Sequence, residues 1–345
     1  MRKRWIMGGI ALLLALGAAY SGYWFWLART FEENLALWID QQRALGYHIS
    51  YAAGEPHGYP LAIDMALSHV SIDSPPGEPA WRVATESATL SLAPWSPLSL
   101  RIEQGGAAAA CSLQWTAAGR DYALSIDGMA LTIELSSDGA PPPAVRISSR
   151  SAALSQQGQA MASLVEPSGR VDFLAAAADT QSSAEFRLSA HGIAFAPQAP
   201  SGEIAVETYD WVVAGQVKGP VPLAPLRAAL AAWSNEGGHV ELTQFNANWE
   251  AKTTVSGDGT VALDQRLQPV GAFSAVVRGY NEAVDAVVAH GLMTPAQGTA
   301  VKLWLNARAE KDEHGLKVTL PLTVQDGFLS LGPIKLAQVP HIAWQ

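Results

Sequence analysis

The chain has 345 residues, one cysteine and a formal charge of -9, and 49% of its residues are hydrophobic. That balance argues against nucleic-acid binding, which needs a basic face for phosphate. A lone Cys111 excludes an intrachain disulfide, so stability has to come from a buried core.

The first element is apolar and long. Trp5 to Leu27 holds no Asp, Glu, Lys or Arg, and about 20 such residues cross a bilayer core of ~30 Å at ~1.5 Å per residue. Met1-Arg2-Lys3-Arg4 precedes it; Arg29, Glu32 and Glu33 follow. The positive-inside bias then keeps the N-terminus cytoplasmic and sends the body across a bacterial inner membrane into the periplasm. Tyr23-Trp24-Phe25-Trp26 supplies an interfacial aromatic belt. A cleaved secretory signal shares the charged start and apolar middle, but here apolarity runs well past a typical h-region, which favours an uncleaved anchor over residues 1–28.

Thr30-Phe31-Glu32-Glu33 has the form of a capping box and predicts a separate amphipathic juxtamembrane helix over residues 29–46, stopped by Gly46. Phe31, Leu35, Trp38 and Ile39 form its apolar stripe, expected to pack on the following sheet.

From Tyr47 the apolar period becomes two. After the break at Gly54–Pro60, Leu61, Ile63, Met65 and Leu67 share a strand face, and the phase then shifts to Val70 and Ile72, the mark of a β-bulge at Ser68-His69. Strands follow over Trp81–Leu92, Leu98–Ile102, Ser112–Thr116 and Tyr122–Ile126, with clean alternation through Leu131 and Ile133. Asp138–Pro143 is the sharpest break, and Val145–Leu154, Gly169–Phe173 and Glu185–Ile193 are further strands. Residues 47–200 thus form one antiparallel β subdomain.

Residues 201–345 form a second β-rich subdomain with covering helices, continuous with the first. Trp211 lies in a strand over Glu203–Val213, and a helix near Leu223–Ser234 presents Leu226, Leu230 and Trp233. Val240, Leu242, Phe245, Ala247 and Trp249 form a strand with one phase slip. Gly257-Asp258-Gly259 satisfies the start of a G-x-G-x-x-A pattern, but β-favouring Thr260-Val261-Ala262-Leu263 follows it, so a hairpin turn is the expected reading. Helices are expected at Asn281–Val288 and from Thr294, where Pro295 and Gln297 complete a capping box ahead of Val301, Trp304 and Leu305. Leu316, Val318, Leu320, Leu322 and Val324 alternate strictly before the turn Gln325-Asp326-Gly327. Strands joined by turns rather than crossover helices predict antiparallel sheets. The fold class is therefore mainly β, or β-rich α+β: an N-terminal transmembrane helix, then curved antiparallel sheet with a few covering helices.

Chemistry is sparse. The eight His residues (48, 57, 69, 191, 239, 290, 314 and 341) never fall at metal-ligand spacing, and no nucleophile elbow or phosphate loop occurs. Asp264, Asp285, Asp312, Glu313 and Asp326 are scattered, so no catalytic residue, cofactor or metal site is assigned and a non-enzymatic role is expected. Cys111 sits among small apolar residues and is expected to be buried and inert. Most of Trp81, Trp95, Trp115, Trp211, Trp233, Trp249 and Trp304 are expected in the core.

Four places carry a family resemblance: the N-terminal span, Gly58-Tyr59-Pro60, Asp210–Pro220 with the Trp233 helix, and Leu320–Leu336 with Pro340. On these the chain resembles the proteobacterial domain of unknown function 2125, a family whose resemblance implies no activity or site. The layout also looks, more loosely, like AsmA-like envelope proteins, whose β-sheet groove implies lipid handling. The expectation is a protein of the cell envelope that binds or passes lipid acyl chains along an apolar groove, with Leu61, Ile63, Met65, Leu67, Leu131, Ile133, Leu316, Val318 and Leu320 as its candidate lining. The alternative is a non-catalytic scaffold that binds other envelope proteins through a sheet with a closed, dry core. Partners are the inner membrane, then lipid or envelope proteins, and not nucleic acid.

Overall fold

The computed structural model describes all residues except 1, 77–78, 107–109, 118, 137–142, 175–180, 196–207, 223, 225, 250–252, 290–293, 332–333, 340, 343 and 345. A single helix, α1 (Arg2–Ala44), takes in both the apolar span and the stretch expected to be a second helix. No capping box forms at Thr30: its hydroxyl donates to the Trp26 carbonyl one turn back. The reason is local. Leu27-Ala28-Arg29-Thr30 contains no Gly or Pro, and extending a helix is easier than nucleating another. Gly46 does stop it, with φ of 97°.

The chain continues through β1 (His48–Ala53), β2 (Ile63–Asp73) and β3 (Trp81–Ala93). Ten strands follow as five close couples. They are β4 (Ser96–Gln104) with β5 (Cys111–Ala117), β6 (Arg120–Asp127) with β7 (Ala130–Glu134), and β8 (Ala144–Ser148) with β9 (Ser151–Gln156). β10 (Gln159–Val165) with β11 (Ser168–Phe173), and β12 (Ser182–Ala190) with β13 (Gly192–Phe195), complete the set. Then come β14 (Thr208–Lys218), α2 (Leu226–Asn235), β15 (His239–Trp249), β16 (Thr253–Leu263), β17 (Pro269–Arg278), α3 (Tyr280–Ala289) and α4 (Pro295–Asn306). β18 (Glu310–Asp312), β19 (Gly315–Gln325), β20 (Phe328–Leu331) and β21 (Ile334–Gln338) close the chain.

All these strands belong to one antiparallel sheet. Its main run is β1-β2-β3-β4-β7-β8-β11-β12-β14-β15-β16-β17-β19-β20-β21, and it crosses from residues 47–200 into 201–345 where β12 pairs with β14. At β3 the sheet forks: Ala88–Ala93 pair with β4, whereas Trp81–Ala84 pair with β5. The second arm runs β5-β6-β9-β10-β13.

The strands of each couple follow one another in the chain, one in each arm, and two residues or fewer separate them in every couple but β4 with β5. The backbone stays hydrogen-bonded across the crease between the arms, from Gln104 N to Met129 O, Arg150 N to Asp127 O, Glu166 N to Arg150 O and His191 N to Val165 O, all at 2.8–2.9 Å. Left-handed backbone occurs along the crease at His69 (φ 51°), Gly128 (64°) and Glu166 (47°). The Ser68-His69 bulge is found as expected: Ser50 pairs with Ser71, but Ala52 pairs with Ser68. The slip in β15 is equally real, between Leu242 and Phe245.

Gly257-Asp258-Gly259 is not a hairpin. β16 runs straight through it, because both glycines lie against the backbone of β17, where a Cβ would press on Ser274 O and the Phe273 ring. The turn at Asp326-Gly327 does form, with Gln325 opposite Phe328. The Thr294 capping box forms as expected, with Pro295 in the first turn. On α2 the buried residues are Ala229 and Trp233, while Leu226 is exposed. Cys111 is buried, and that burial pushes its thiol pKa up. Most of the Asp138–Pro143 break and the stretch 196–207, which includes the start of the Glu203 strand, lie outside the described residues.

Candidate functional site

Cross-strand register decides which side chains share a face, since directly opposed residues point the same way. One apolar row starts at Ile63 and passes through Leu92, Leu100, Ile133, Val145, Val171 and Phe186. The next row runs from Met65 through Leu90, Ile102, Leu131, Ile147, Gly169 and Leu188 to Val213. It continues through Phe245, Gly257 and Ala275 to Leu320. Val318, two residues before Leu320, pairs with Val277. Seven of the nine candidate groove residues therefore lie on one continuous face: Ile63, Met65, Leu67, Leu131, Ile133, Val318 and Leu320. Leu316 keeps the same phase but sits past the paired end of β17, where it is exposed. Leu61 is the exception. It precedes β2, in a turn closed by its N–H on the Gly58 carbonyl, and is exposed.

This face is covered unevenly. At its β2–β3 margin, α1 lays Trp24, Leu27, Ala28 and Phe31 on Ile63 and Leu92, leaving Ile63 at 0% exposure. At the opposite margin, Tyr280 and Val284 of α3 and Leu305 of α4 enclose Val318, also at 0%, with Val301 and Trp304 packed alongside. Between them, neither helix-covered cluster takes in a residue of β4, β7, β8, β11 or β12 among the described residues. Ile147 and Leu188 are 37% and 39% exposed.

The other face of the same five strands carries a feature that the sequence does not announce. Arg101, Thr132, Arg146, Arg170 and Arg187 stand directly opposite one another on successive strands. Beside this row lie Ala130, Ser148, Ser168 and Ser189, also in register, and together they line a cleft of about 500 Å³. Arg101 pairs with Glu103, Arg146 with Glu134 and Arg170 with Asp172 at 2.5–2.6 Å, while Arg187 reaches Gln244. The hydrogen bond from Arg170 holds the Asp172 carboxyl below the usual carboxylate range. Each arginine occupies the polar phase of an alternating strand, so only the pairing order brings them into one row.

The crease carries a third polar group. His69 faces Glu86 at 3.1 Å, Arg150 faces Asp127 at 3.2 Å, and His191 lies between Asp210 at 2.7 Å and Glu166 at 3.7 Å. The hydrogen bond to Asp210, then its charge, pushes the His191 pKa up. No group of three or more His, Cys, Asp or Glu fit to hold a metal occurs among the described residues.

Of the tryptophans, Trp233 is buried and donates to the Lys218 carbonyl at 2.7 Å. Trp95 departs from the core expectation: it is 69% exposed at the turn between β3 and β4. The side chain of Trp249 lies outside the described set.

The model of a family described as uncharacterized protein conserved in bacteria, DUF2125, matches residues 24–340. No curated protein and no solved structure matches the chain.

Proposed function

The chain belongs to this bacterial DUF2125 family, and on that premise we propose that it is a membrane-anchored, non-catalytic envelope protein that takes lipid acyl chains along its apolar sheet face. In this reading α1 crosses the inner membrane once, with the N-terminus cytoplasmic and the sheet in the periplasm. Support for the anchor is α1 itself, one helix long and apolar enough to span a bilayer. Support for sidedness is the Arg2-Lys3-Arg4 cluster ahead of the span.

The observation that carries the lipid reading is the partly exposed apolar stretch over β4, β7, β8, β11 and β12, most open at Ile147 and Leu188. Water over such rows is unfavourable, and each methylene of a chain laid on them contributes about 0.8 kcal/mol when fully buried. The competing scaffold reading draws less support, because it calls for a closed, dry core.

Full-length protein purified in mild detergent and extracted with organic solvent should release phospholipid or fatty acid detectable by mass spectrometry. Leu188→Glu and Ile147→Glu, which put a charge on the open rows, should lower the amount retained. Wild type that releases no lipid, or variants that retain as much as wild type, would turn the balance against lipid.

A further inference from the structure

We infer that the foot of the sheet is itself seated in the lipid bilayer, through the turns at residues 58–62 and 94–98; this rests on reading α1 as a membrane span. Length decides it. Gly9–Ala19 are exposed throughout, and among the described side chains contacts with the body begin at Tyr20. Trp5 to Ala19 rises only about 22 Å at ~1.5 Å per residue, short of a hydrocarbon core ~30 Å thick. The missing turns come from Tyr20–Trp24, and these residues are hydrogen-bonded to the body.

Tyr20 Oη donates to the Pro60 carbonyl at 2.5 Å, and Ser21 Oγ lies 2.7 Å from Tyr59 Oη. Tyr23 Oη donates to the Pro94 carbonyl at 2.8 Å, and Trp24 Nε1 to the Ala62 carbonyl at 2.9 Å. Contacts this short fix depth: both turns sit level with the last turns of the span.

Composition agrees with geometry. Residues 58–63 and 92–100 contain no Asp, Glu, Lys, Arg or His. Tyr59, Leu61, Trp95 and Leu98 are exposed there, as are Phe25 and Trp26 on the adjoining helix. Large apolar side chains gathered at one edge mark an interaction surface, and Trp and Tyr are favoured at the headgroup level. This accounts for Leu61 and Trp95, neither of which has a place in the core. It also sets the first apolar row, Ile63-Leu92-Leu100, at the bilayer surface, so that a lipid chain reaches the open face without crossing water.

The test uses the full-length chain with a nitroxide at Leu61→Cys, Trp95→Cys, Glu86→Cys on the crease, or Leu13→Cys in mid-span. Each is reconstituted in phosphatidylcholine vesicles; native Cys111 is buried, and unsubstituted protein checks its silence. Collisional broadening by oxygen is compared with that by a water-soluble nickel chelate. Labels at 61 and 95 should show a severalfold higher oxygen-to-nickel ratio than the label at 86. Ratios at 61 and 95 equal to that at 86, with the label at 13 reporting lipid, overturn the seated foot and leave the span intact. A water-exposed label at 13 removes the span and the inference with it.

Discussion

Ile63 and Val318 at the sheet's margins are wholly buried, whereas Ile147 and Leu188 on the same face are more than a third exposed. All four are aliphatic side chains on alternating strands. They differ only in what lies opposite: α1 over Ile63, α3 and α4 over Val318, and neither helix-covered cluster at the middle strands among the described residues. Alternation determines which side chains share a face, but the elements that seal a face come from elsewhere in the chain.

The sharpest way to break this comparison is to truncate one residue from each region. Ile63→Ala removes side-chain volume from a packed site and should cost about 2–5 kcal/mol. Ile147→Ala removes a chain already partly in water and should cost under about 1 kcal/mol. Urea unfolding measures both, and equal losses would mean that the middle strands are covered after all.

Glycines sharpen the contrast within the sheet. Gly215 sits directly opposite Phe186, and Gly259 opposite Phe273, with each ring lying over the neighbouring glycine. A Cβ at Gly259 meets both the Phe273 ring and the Ala272 carbonyl, so Gly259→Ala should destabilise by about 1–3 kcal/mol. Gly119→Ala, at a hairpin with no heavy atom within 4 Å, should cost less, set by its φ of 73° alone. Thermal melts of the two variants rank them.

These contacts also explain what was and was not legible in the chain. The bulge at His69, the slip after Leu242, the Thr294 capping box and the Asp326-Gly327 turn were readable, because each is specified by residues near one another. So was the shared phase of Ile63, Met65 and Leu67 within one strand, although its register with Leu131, Ile133, Val318 and Leu320 comes from strand pairing. Thr30 and Gly257-Asp258-Gly259 misled for one reason: a local signal was overridden by a continuing helix in one case and an adjacent strand in the other. The arginine row and the crease depend on pairing order between strands distant in sequence, which alternation does not encode. Alternation makes Leu61 the first residue of a strand, but it lies in the turn before β2, beside α1.

The covered margin at Val318 should also loosen in acid. Arg278, at the end of β17, donates two hydrogen bonds to Asp312, which the His314 backbone N–H also reaches. The Arg278 bonds hold the Asp312 carboxyl well below the usual carboxylate range. A depressed folded-state pKa gives stability that is present above the unfolded value of ~3.9 and is lost as pH falls toward the folded one. Asp312→Asn should therefore flatten the acid limb of a stability-against-pH curve, and a limb of unchanged steepness would remove this pair from the account.

The smallest effect is expected at the crease, where the side-chain pairs are exposed and polar. His191 Nδ1 donates to the Asp210 carboxylate, and Glu166 approaches its other ring nitrogen. Its raised pKa works in the opposite sense to that of Asp312. The contribution is complete below the unfolded value of ~6.5 and disappears as pH rises through the folded one. All three side chains are about two-thirds exposed, so water and salt screen the interaction strongly. The difference in melting temperature between wild type and His191→Gln should be small and positive at pH 5.5 and should vanish by pH 9. Added salt should shrink it, which packing at Ile63 would not allow. A difference that persists at pH 9 would mean that His191 supports the crease by shape and not by charge, and the two regions of the sheet would then be held by the same kind of force.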